Sequence, residues 1–310
     1  MGKCKLLVVG SLNMDLVVDV PYMPQVGETI LGYGFNMIPG GKGANQAYAA
    51  AKLGAQAYML GCVGKDEYGQ ILLKNLNGAG VNIESVEKQA GINTGTAFIY
   101  VNKEGNNNIV VVPGANSACS KEYIKRYKEL FEYCDIIMLQ CEIPMDTVSY
   151  VIETARKMNK TIILNPAPAP DHLPESILKM VDILTPNESE LHKLTGIKTD
   201  TIDNIREAAG MLLSKGVKSV VVTWGDKGAV LVRGNICQHY PVKDVKVVDT
   251  TAAGDTFTAA VAVAISEGKS LDEAIEFANK ASTIVVTRAG AQTSIPSRDE
   301  VNSFRFSDSP

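Results

Sequence analysis

Short, nearly continuous apolar runs alternate along this chain with longer stretches in which apolar positions recur every three or four residues. LLVVG (6–10), IIMLQ (136–140), TIILN (161–165), VDILTPN (181–187) and SVVVTWG (219–225) are of the first kind. Strands without a polar face are buried on both sides, as in a parallel sheet between two layers of helices. Residues 44–53, 66–78, 121–131, 145–159 and 202–215 are of the second kind and predict helices. The alternation predicts an α/β fold: a doubly wound, mostly parallel sheet sandwiched by helices. Towards the C-terminus it gives way to two successive helices, over about 253–266 and 271–288.

Two stretches break that rhythm. Residues 15–39 and 94–113 are richer in alternation of apolar and polar positions, and TGTAFIYV and NNNIVVV flank the turn-like Lys103-Glu104-Gly105. They predict antiparallel strands beside the main sheet, as a small β lid or as an extension of that sheet. No repeat, low-complexity run or linker divides the 310 residues. They read as a single domain, 1–310, with the lid strands inserted at about 15–39 and 94–113.

Composition acts by exclusion. With 45% hydrophobic and 21% charged residues and a net charge of −4, the chain carries no basic footprint for nucleic acid or an anionic membrane. The apolar run from Leu6 to Val9 is too short for a signal-peptide core, and no run reaches the roughly 18 residues of a membrane span. A cytoplasmic protein is expected. Cysteines 4, 62, 119, 134, 141 and 237 form no CxxC pair and lie in apolar segments, as buried free thiols do. His172, His192 and His239 fit no zinc spacing.

Candidate chemistry collects at the carboxyl ends of the predicted strands, where parallel sheets bind ligands. Neither G-x-x-x-x-G-K-[ST] nor a G-x-G-x-x-G after the first strand is present, so the usual phosphate loops are not available. The first strand runs instead into Gly10-Ser11-Leu12-Asn13-Met14-Asp15, where Asn13 and Asp15 either face one crevice or serve as turn residues. PGGKGANQAYAAAKLGA (39–55) opens an alanine-rich helix with a glycine pair. That lets backbone approach a ligand, with Lys42 and Asn45 able to bond hydroxyls, or it simply packs a helix tightly. Glu142 ends another strand, as a site carboxylate or a loop acid, and TPNESE (185–190) and VTWGDKGAVLV (222–232) end two more. In DTTAAGDTF (249–257), Asp255 stands at the mouth of an apolar helix. It is either a helix cap or a base facing an anion held on backbone amides.

Taken in order, GGKGANQAYAAAKLG, NPAPAP (165–170), the N-x-x-E of Asn187 and Glu190, TWGDKG and DTTAAGDTFTAAVAVA resemble the signatures of the ribokinase family of PfkB-type carbohydrate kinases. The resemblance spans nearly the whole chain. It implies ATP-dependent phosphorylation of D-ribose at O5, with Asp255 as general base and the amides of Ala252, Ala253, Gly254 and Asp255 as an anion hole. It places Asn13, Met14, Asp15, Gly41, Lys42, Gly43, Asn45 and Glu142 at the sugar. Asn187, Thr223, Gly225, Asp226, Lys227, Gly228 and Gly254 fall at ATP, with Asn279 near the adenine. Glu190 would organise Mg²⁺ through waters. Asp249, Thr251, Val285, Arg288, Gly290 and Ser294 would form a site for K⁺, and a homodimer would form through the lid.

Two departures stand out: Ala252 replaces the glycine of many relatives, and Trp224 either lines the nucleotide edge or merely packs. Fructokinases, adenosine kinases and deoxyribokinases share the scaffold, and a non-catalytic sensor could too. Asn13 favours ribose, because its amide can serve the 2-hydroxyl that deoxyribose lacks.

Overall fold

The computed structural model describes residues 5–305. The chain begins with β1 (Lys5–Val9), β2 (Asn13–Asp19), β3 (Gly34–Gly40), α1 (Lys42–Lys52), β4 (Gln56–Leu60), β5 (Cys62–Gly64), α2 (Glu67–Gly78), β6 (Glu87–Gln89), β7 (Gly95–Val101) and β8 (Asn107–Val112). It continues through α3 (Lys121–Arg126), α4 (Lys128–Tyr133), β9 (Ile136–Leu139), α5 (Met145–Lys157), β10 (Thr161–Leu164), α6 (Glu175–Leu178), β11 (Ile183–Leu184), α7 (Glu188–Thr195), α8 (Ile202–Ser214) and β12 (Ser219–Thr223). It closes with β13 (Ala229–Arg233), β14 (Ile236–Tyr240), α9 (Ala253–Ser266), α10 (Leu271–Val286) and α11 (Arg298–Ser303).

The main sheet has eight strands in the order β14-β13-β12-β11-β10-β9-β1-β4. Every pairing from β4 to β12 is parallel, and only the edge hairpin β13–β14 runs antiparallel to its neighbours. Successive side chains of a strand point to opposite faces, and the sheet has a separate core on each. Leu6, Val8, Met138, Ile163 and Val221 pack with residues of α1, α9 and α10. Leu7, Val9, Ile137, Ile162 and Val220 pack with α3, α5 and α8. This is the doubly wound sandwich that the uninterrupted apolar runs predicted. Each fully buried Leu, Ile or Val contributes about 1.5–3 kcal/mol relative to exposure. The strands are therefore rigid mounts, and polar residues at their carboxyl ends inherit that rigidity.

A second sheet of four strands, β3-β2-β7-β8, stands beside the first. Its outer pairs are antiparallel as expected, but the central pair β2–β7 is parallel. The two strands come from separate insertions, so no hairpin forces them to run in opposite directions. Two further expectations shift. The helix predicted over 121–131 is two short helices, because Tyr127 leaves helical geometry at φ −113 while its ring meets Tyr123 edge-on at 5.4 Å. VDILTPN contributes only the two residues of β11 to the ladder, and Pro186 beyond it has no N–H to continue one. Cys62, Cys119, Cys141 and Cys237 are free thiols, Cys134 is buried, and Cys4 lies outside the described residues.

Candidate active site

The site is built where the turn between β1 and β2 meets the start of α1. Gly41 caps α1 at φ 88, a left-handed conformation that favours glycine. A Cβ on it would lie 2.6 Å from the Asn13 nitrogen, and one on Gly43 would lie 2.6 Å from the Ser11 nitrogen. Gly41, the second glycine of the pair, and Gly43 therefore bring helix backbone directly against the strand turn. Ser11 carbonyl oxygen accepts from the Ala44 amide at 2.9 Å, closing the contact. Across it, one oxygen of Glu142 accepts from Ser11 Oγ at 2.5 Å and from the Lys42 amide at 3.1 Å. Glu142 is thus not a loose loop acid.

Asp255 arrives from the opposite side, on the first turn of α9. Its carboxylate does not cap the helix: it accepts from Asn45 Nδ2 at 2.9 Å and from Gln46 Nε2 at 3.1 Å, both carried by α1. No side chain caps α9. Ala253 N–H reaches the Thr250 carbonyl at 3.2 Å, and the amides of Gly254 and Asp255 have no acceptor among the described residues. Free amides at a helix N-terminus make a seat for negative charge. Ala252, which sets their direction, lies at φ 62 and ψ 6. A non-glycine residue in the left-handed region costs on the order of 1–2 kcal/mol, so the geometry of this turn is imposed by its surroundings.

Four carboxylates and one ammonium share the space. Burial, then the charges of Glu142 and Asp255, push the Asp15 carboxyl up to about 7 against a partial opposing pull from Lys42. Burial works to lower the Lys42 ammonium, but Asp255, Glu142, Glu190 and Asp15 together hold it above its ordinary value. Burial raises Glu190, against the amide of Asn187 and the charge of Lys42, with Asp255 and Glu188 pushing the same way as burial. Asn13, buried beside them, has its side-chain oxygen taken by Asn116 Nδ2 at 2.7 Å, which leaves its NH₂ as the group to offer a ligand. Met14 is fully buried in the apolar core, so its side chain is no part of this polar cluster.

The residues expected at the nucleotide and the cations lie further along the same strand ends. Asn187 and Glu190 form a reciprocal capping box on α7: Asn187 Oδ1 accepts from the Glu190 amide at 2.8 Å, and a Glu190 oxygen accepts from the Asn187 amide at 2.9 Å. Thr223 bridges to Asn187 where β12 ends. Gly225, Asp226 and Lys227 then form a single helical turn, and Gly228 at φ 94 reverses the chain into β13. Trp224 packs edge-on to His239 at 5.7 Å with the Lys227 ammonium 4.1 Å over its ring. Asn279 donates to the Tyr240 carbonyl at 2.9 Å and lines a cavity of about 360 Å³ with His239, Pro241 and Glu276.

Asp249 ties two loops together, accepting from the Thr251 amide at 2.9 Å and the Gly290 amide at 3.0 Å. Burial works to raise its carboxyl, and the bonds from Thr251 and Gly290 outweigh it and hold it below its ordinary value. Val285 carbonyl accepts from the Arg288 amide at 3.0 Å, the Arg288 guanidinium meets Glu300 at 2.7 Å, and Ser294 Oγ donates to Ala291 at 2.7 Å. Of the six residues expected at a monovalent cation, Thr251 and Gly290 thus both donate to Asp249, and Arg288 donates to Val285.

The arrangement brings the Asp255 carboxylate, on a helix end with free amides, together with a buried polar cluster of Asn13, Asp15, Lys42 and Glu142. Residues 3–298 match the model of the pfkB family of carbohydrate kinases. The chain belongs to that family. Ribokinase of Bacillus subtilis is 43% identical over 294 residues, spanning 95% of this chain and 97% of that protein. Deoxyribokinase of Salmonella typhi is 39% identical over 297 residues, with 96% and 97% covered. The solved structure of Arabidopsis thaliana ribokinase complexed with ribose and ATP is similar at a TM-score of 0.88 and 36% identity, covering 98% of this chain and 100% of that one. The protein is a ribokinase-type sugar kinase.

In this kinase several site residues carry no motif of their own. Ser11, Gln46, Asn116, Gln140, Asn165 and Gln292 bond the polar cluster from behind. Gln46 lies inside the glycine signature and Asn165 opens NPAPAP, so both were within reach of the sequence. Asn116 and Gln292 were not, because they approach from remote loops.

Proposed function

We propose that this kinase transfers the γ-phosphate of ATP to O5 of D-ribose, with Asp255 as the general base. The observation that carries this reading is the Asp255 carboxylate, held by two side-chain amides and turned away from the free amides of its own helix. Asp255 takes the proton of the sugar hydroxyl, whose oxygen attacks the γ-phosphorus in line as the bond from that phosphorus to the β-phosphate oxygen breaks and ADP leaves. The amides of Ala252 to Asp255 and the dipole of α9 receive the charge that gathers on the transferring group. Asn13, Asp15, Lys42, Asn45 and Glu142 orient the sugar, and Thr223, Gly225, Asp226, Lys227, Gly228 and Asn279 take the nucleotide. Mg²⁺ bound with ATP neutralises phosphate charge and keeps its waters readily. Glu190 suits it, because only one of its oxygens is committed to the capping box. Oxygen groups around Asp249 suit K⁺. The bare apolar face of the second sheet supports a homodimer.

Replacing Asp255 with Asn keeps the shape and the hydrogen-bonding reach but removes the proton acceptor. General-base catalysis contributes about 10²–10⁴-fold, so kcat falls that far while ATP still binds; the new NH₂ must face the donor of Asn45 or of Gln46, so the melting temperature falls as well. Parental turnover in Asp255→Asn would remove Asp255 from the mechanism. Ribose is preferred to 2-deoxyribose in this reading because the Asn13 NH₂, freed by Asn116, meets the 2-hydroxyl. Asn13→Met should lower the ratio of kcat/KM for the two sugars, and an unchanged ratio would favour the deoxyribokinase reading raised by the Salmonella typhi relative.

A further inference from the structure

Behind Asp255 lies a set of buried side-chain amides that sugar and nucleotide binding do not account for. Gln46 is fully buried; its Nε2 donates to Asp255 Oδ1 at 3.1 Å and to Asn165 Oδ1 at 3.3 Å. Its Oε1 accepts from Gln140 Nε2 at 2.6 Å. Asn165 cannot turn round to meet it differently, because Asn165 Nδ2 is committed to the Thr185 carbonyl at 2.8 Å. On the other side Gln292 Nε2 donates to Asn45 Oδ1 at 3.0 Å, and Asn45 Nδ2 donates to Asp255 Oδ2 at 2.9 Å. Asn75 donates in turn to the Gln292 oxygen.

We infer that Gln46 is a positioning residue for Asp255, the last link of a relay of amides whose donors all point toward the base; this rests on Asp255 being the base. Direction is the core of the argument. A flipped Gln46 would set its oxygen against the oxygens of both Asp255 and Asn165, and its NH₂ against the NH₂ of Gln140. Each side-chain amide has one donor end and one acceptor end, so fixing the far end fixes the near one. With one donor on each oxygen, the Asp255 carboxylate cannot rotate about its own bond, and its remaining lone pairs keep one direction.

A second observation agrees. Gln140 Oε1 is buried without a partner. An unsatisfied buried acceptor costs about 1–3 kcal/mol, and an apolar side chain of similar size would avoid it. The cost is tolerated where the other end of that amide is needed, as at functional sites. The charged groups that share the space around Asp255 are Asp15, Lys42, Glu142 and Glu190. None of them bonds Gln46, so Asp255 is the one charged group among these that its neutral amide bonds.

The test compares Gln46→Met and Gln46→Glu in the full-length kinase, assayed with ribose at saturating ATP and Mg²⁺, with turnover expressed per folded molecule. Gln46→Glu keeps shape and the acceptor for Gln140 but turns an oxygen toward Asp255; Gln46→Met removes both groups. A misplacement of ~1 Å can cost about 10²-fold, and we expect kcat to fall about tenfold or more in both variants, with ribose KM within about threefold of the parent. In the Asp255→Asn background the same substitutions should change the residual kcat by less than about threefold, since no carboxylate remains to be held. A fall below about fivefold in both variants overturns the inference, as does a loss that appears chiefly in KM or one that persists at full size in the Asp255→Asn background. Should one variant not fold, Gln140→Met, one link further back, is held to the same kcat-only pattern. Asp255→Asn alone separates the two failures: if it keeps parental turnover the base reading itself is wrong, whereas if it is inactive and the Gln46 variants are not, only the relay is.

Discussion

Asp15 is a carboxyl whose burial among other carboxylates ties the stability of the fold to pH. Its carboxyl stands at about 7 because it is buried among Glu142 and Asp255, well above the ordinary 3.8. The folded protein therefore holds this proton more tightly than the unfolded chain does. A raised carboxyl contributes stability that is complete below the unfolded value and lost as pH rises through the folded one. The sugar-free protein should accordingly melt at a higher temperature near pH 6 than near pH 8, and Asp15→Asn should flatten that dependence. Glu190, also raised, works in the same sense. Asp249, held below its ordinary value, works oppositely but over a more acid range. Sugar binding should run the other way, since only the ionised Asp15 accepts bonds freely from hydroxyls: ribose KM rises as pH falls below about 7. A KM that stays flat between pH 6 and 8 would remove Asp15 from sugar recognition.

At the scale of elements, legibility followed the strength of local patterns. The buried strands β1, β9, β10 and β12 and the helices α1, α5, α8, α9 and α10 were read to within a few residues, because their apolar periodicity is set by burial on the sheet. α7 lies outside the predicted helices although its start, Asn187 followed by Glu190, is a capping box in plain sequence; its 8 residues are too few to show an apolar period of their own. β14 was missed because ICQHY is a half-exposed edge strand with little pattern. The site was legible where a short segment carries it, as in the glycine pair of α1 and the mouth of α9. It was opaque where distant side chains close it, as Asn116 does from a loop. The loops flanking α9 carry their own expectation. Asp249 joins the Thr251 and Gly290 backbones, and a cation there would order the turn that presents the free amides. K⁺ should raise kcat at fixed Mg²⁺ and ionic strength, and Asp249→Ala should lose that response; equal rates in K⁺ and a large organic cation would refute it.

For the molecule as a whole, the second sheet has two very different sides. Strand register puts Asp15 in one row with Ile38, Ala97 and Val111, and Leu16 in the next row with Met37, Phe98 and Val110. The first row contains the Asp15 carboxyl, proposed above to meet the sugar. On that side only the edge strand β8 exposes large apolar residues, Ile109 and Val111, whereas in the second row Met37, Phe98 and Val110 are all exposed, as are Phe35 and Val112 two residues along their strands. Adjacent exposed apolar residues of this kind mark an association surface. Because neighbouring residues of one strand face opposite ways, a sugar held by Asp15 on one side and a second copy of the chain on the other would share β2, one peptide bond apart. Their binding free energies then belong to one thermodynamic cycle, and any effect is reciprocal: the factor by which ribose tightens self-association equals the factor by which self-association tightens ribose binding. Sedimentation of dilute protein with and without ribose measures the first factor, and calorimetry on Phe98→Asp, expected to be monomeric, measures the second. Dilution alone should then weaken this kinase's hold on its sugar; a monomeric Phe98→Asp with parental ribose affinity would show that the two sides of the sheet do not communicate.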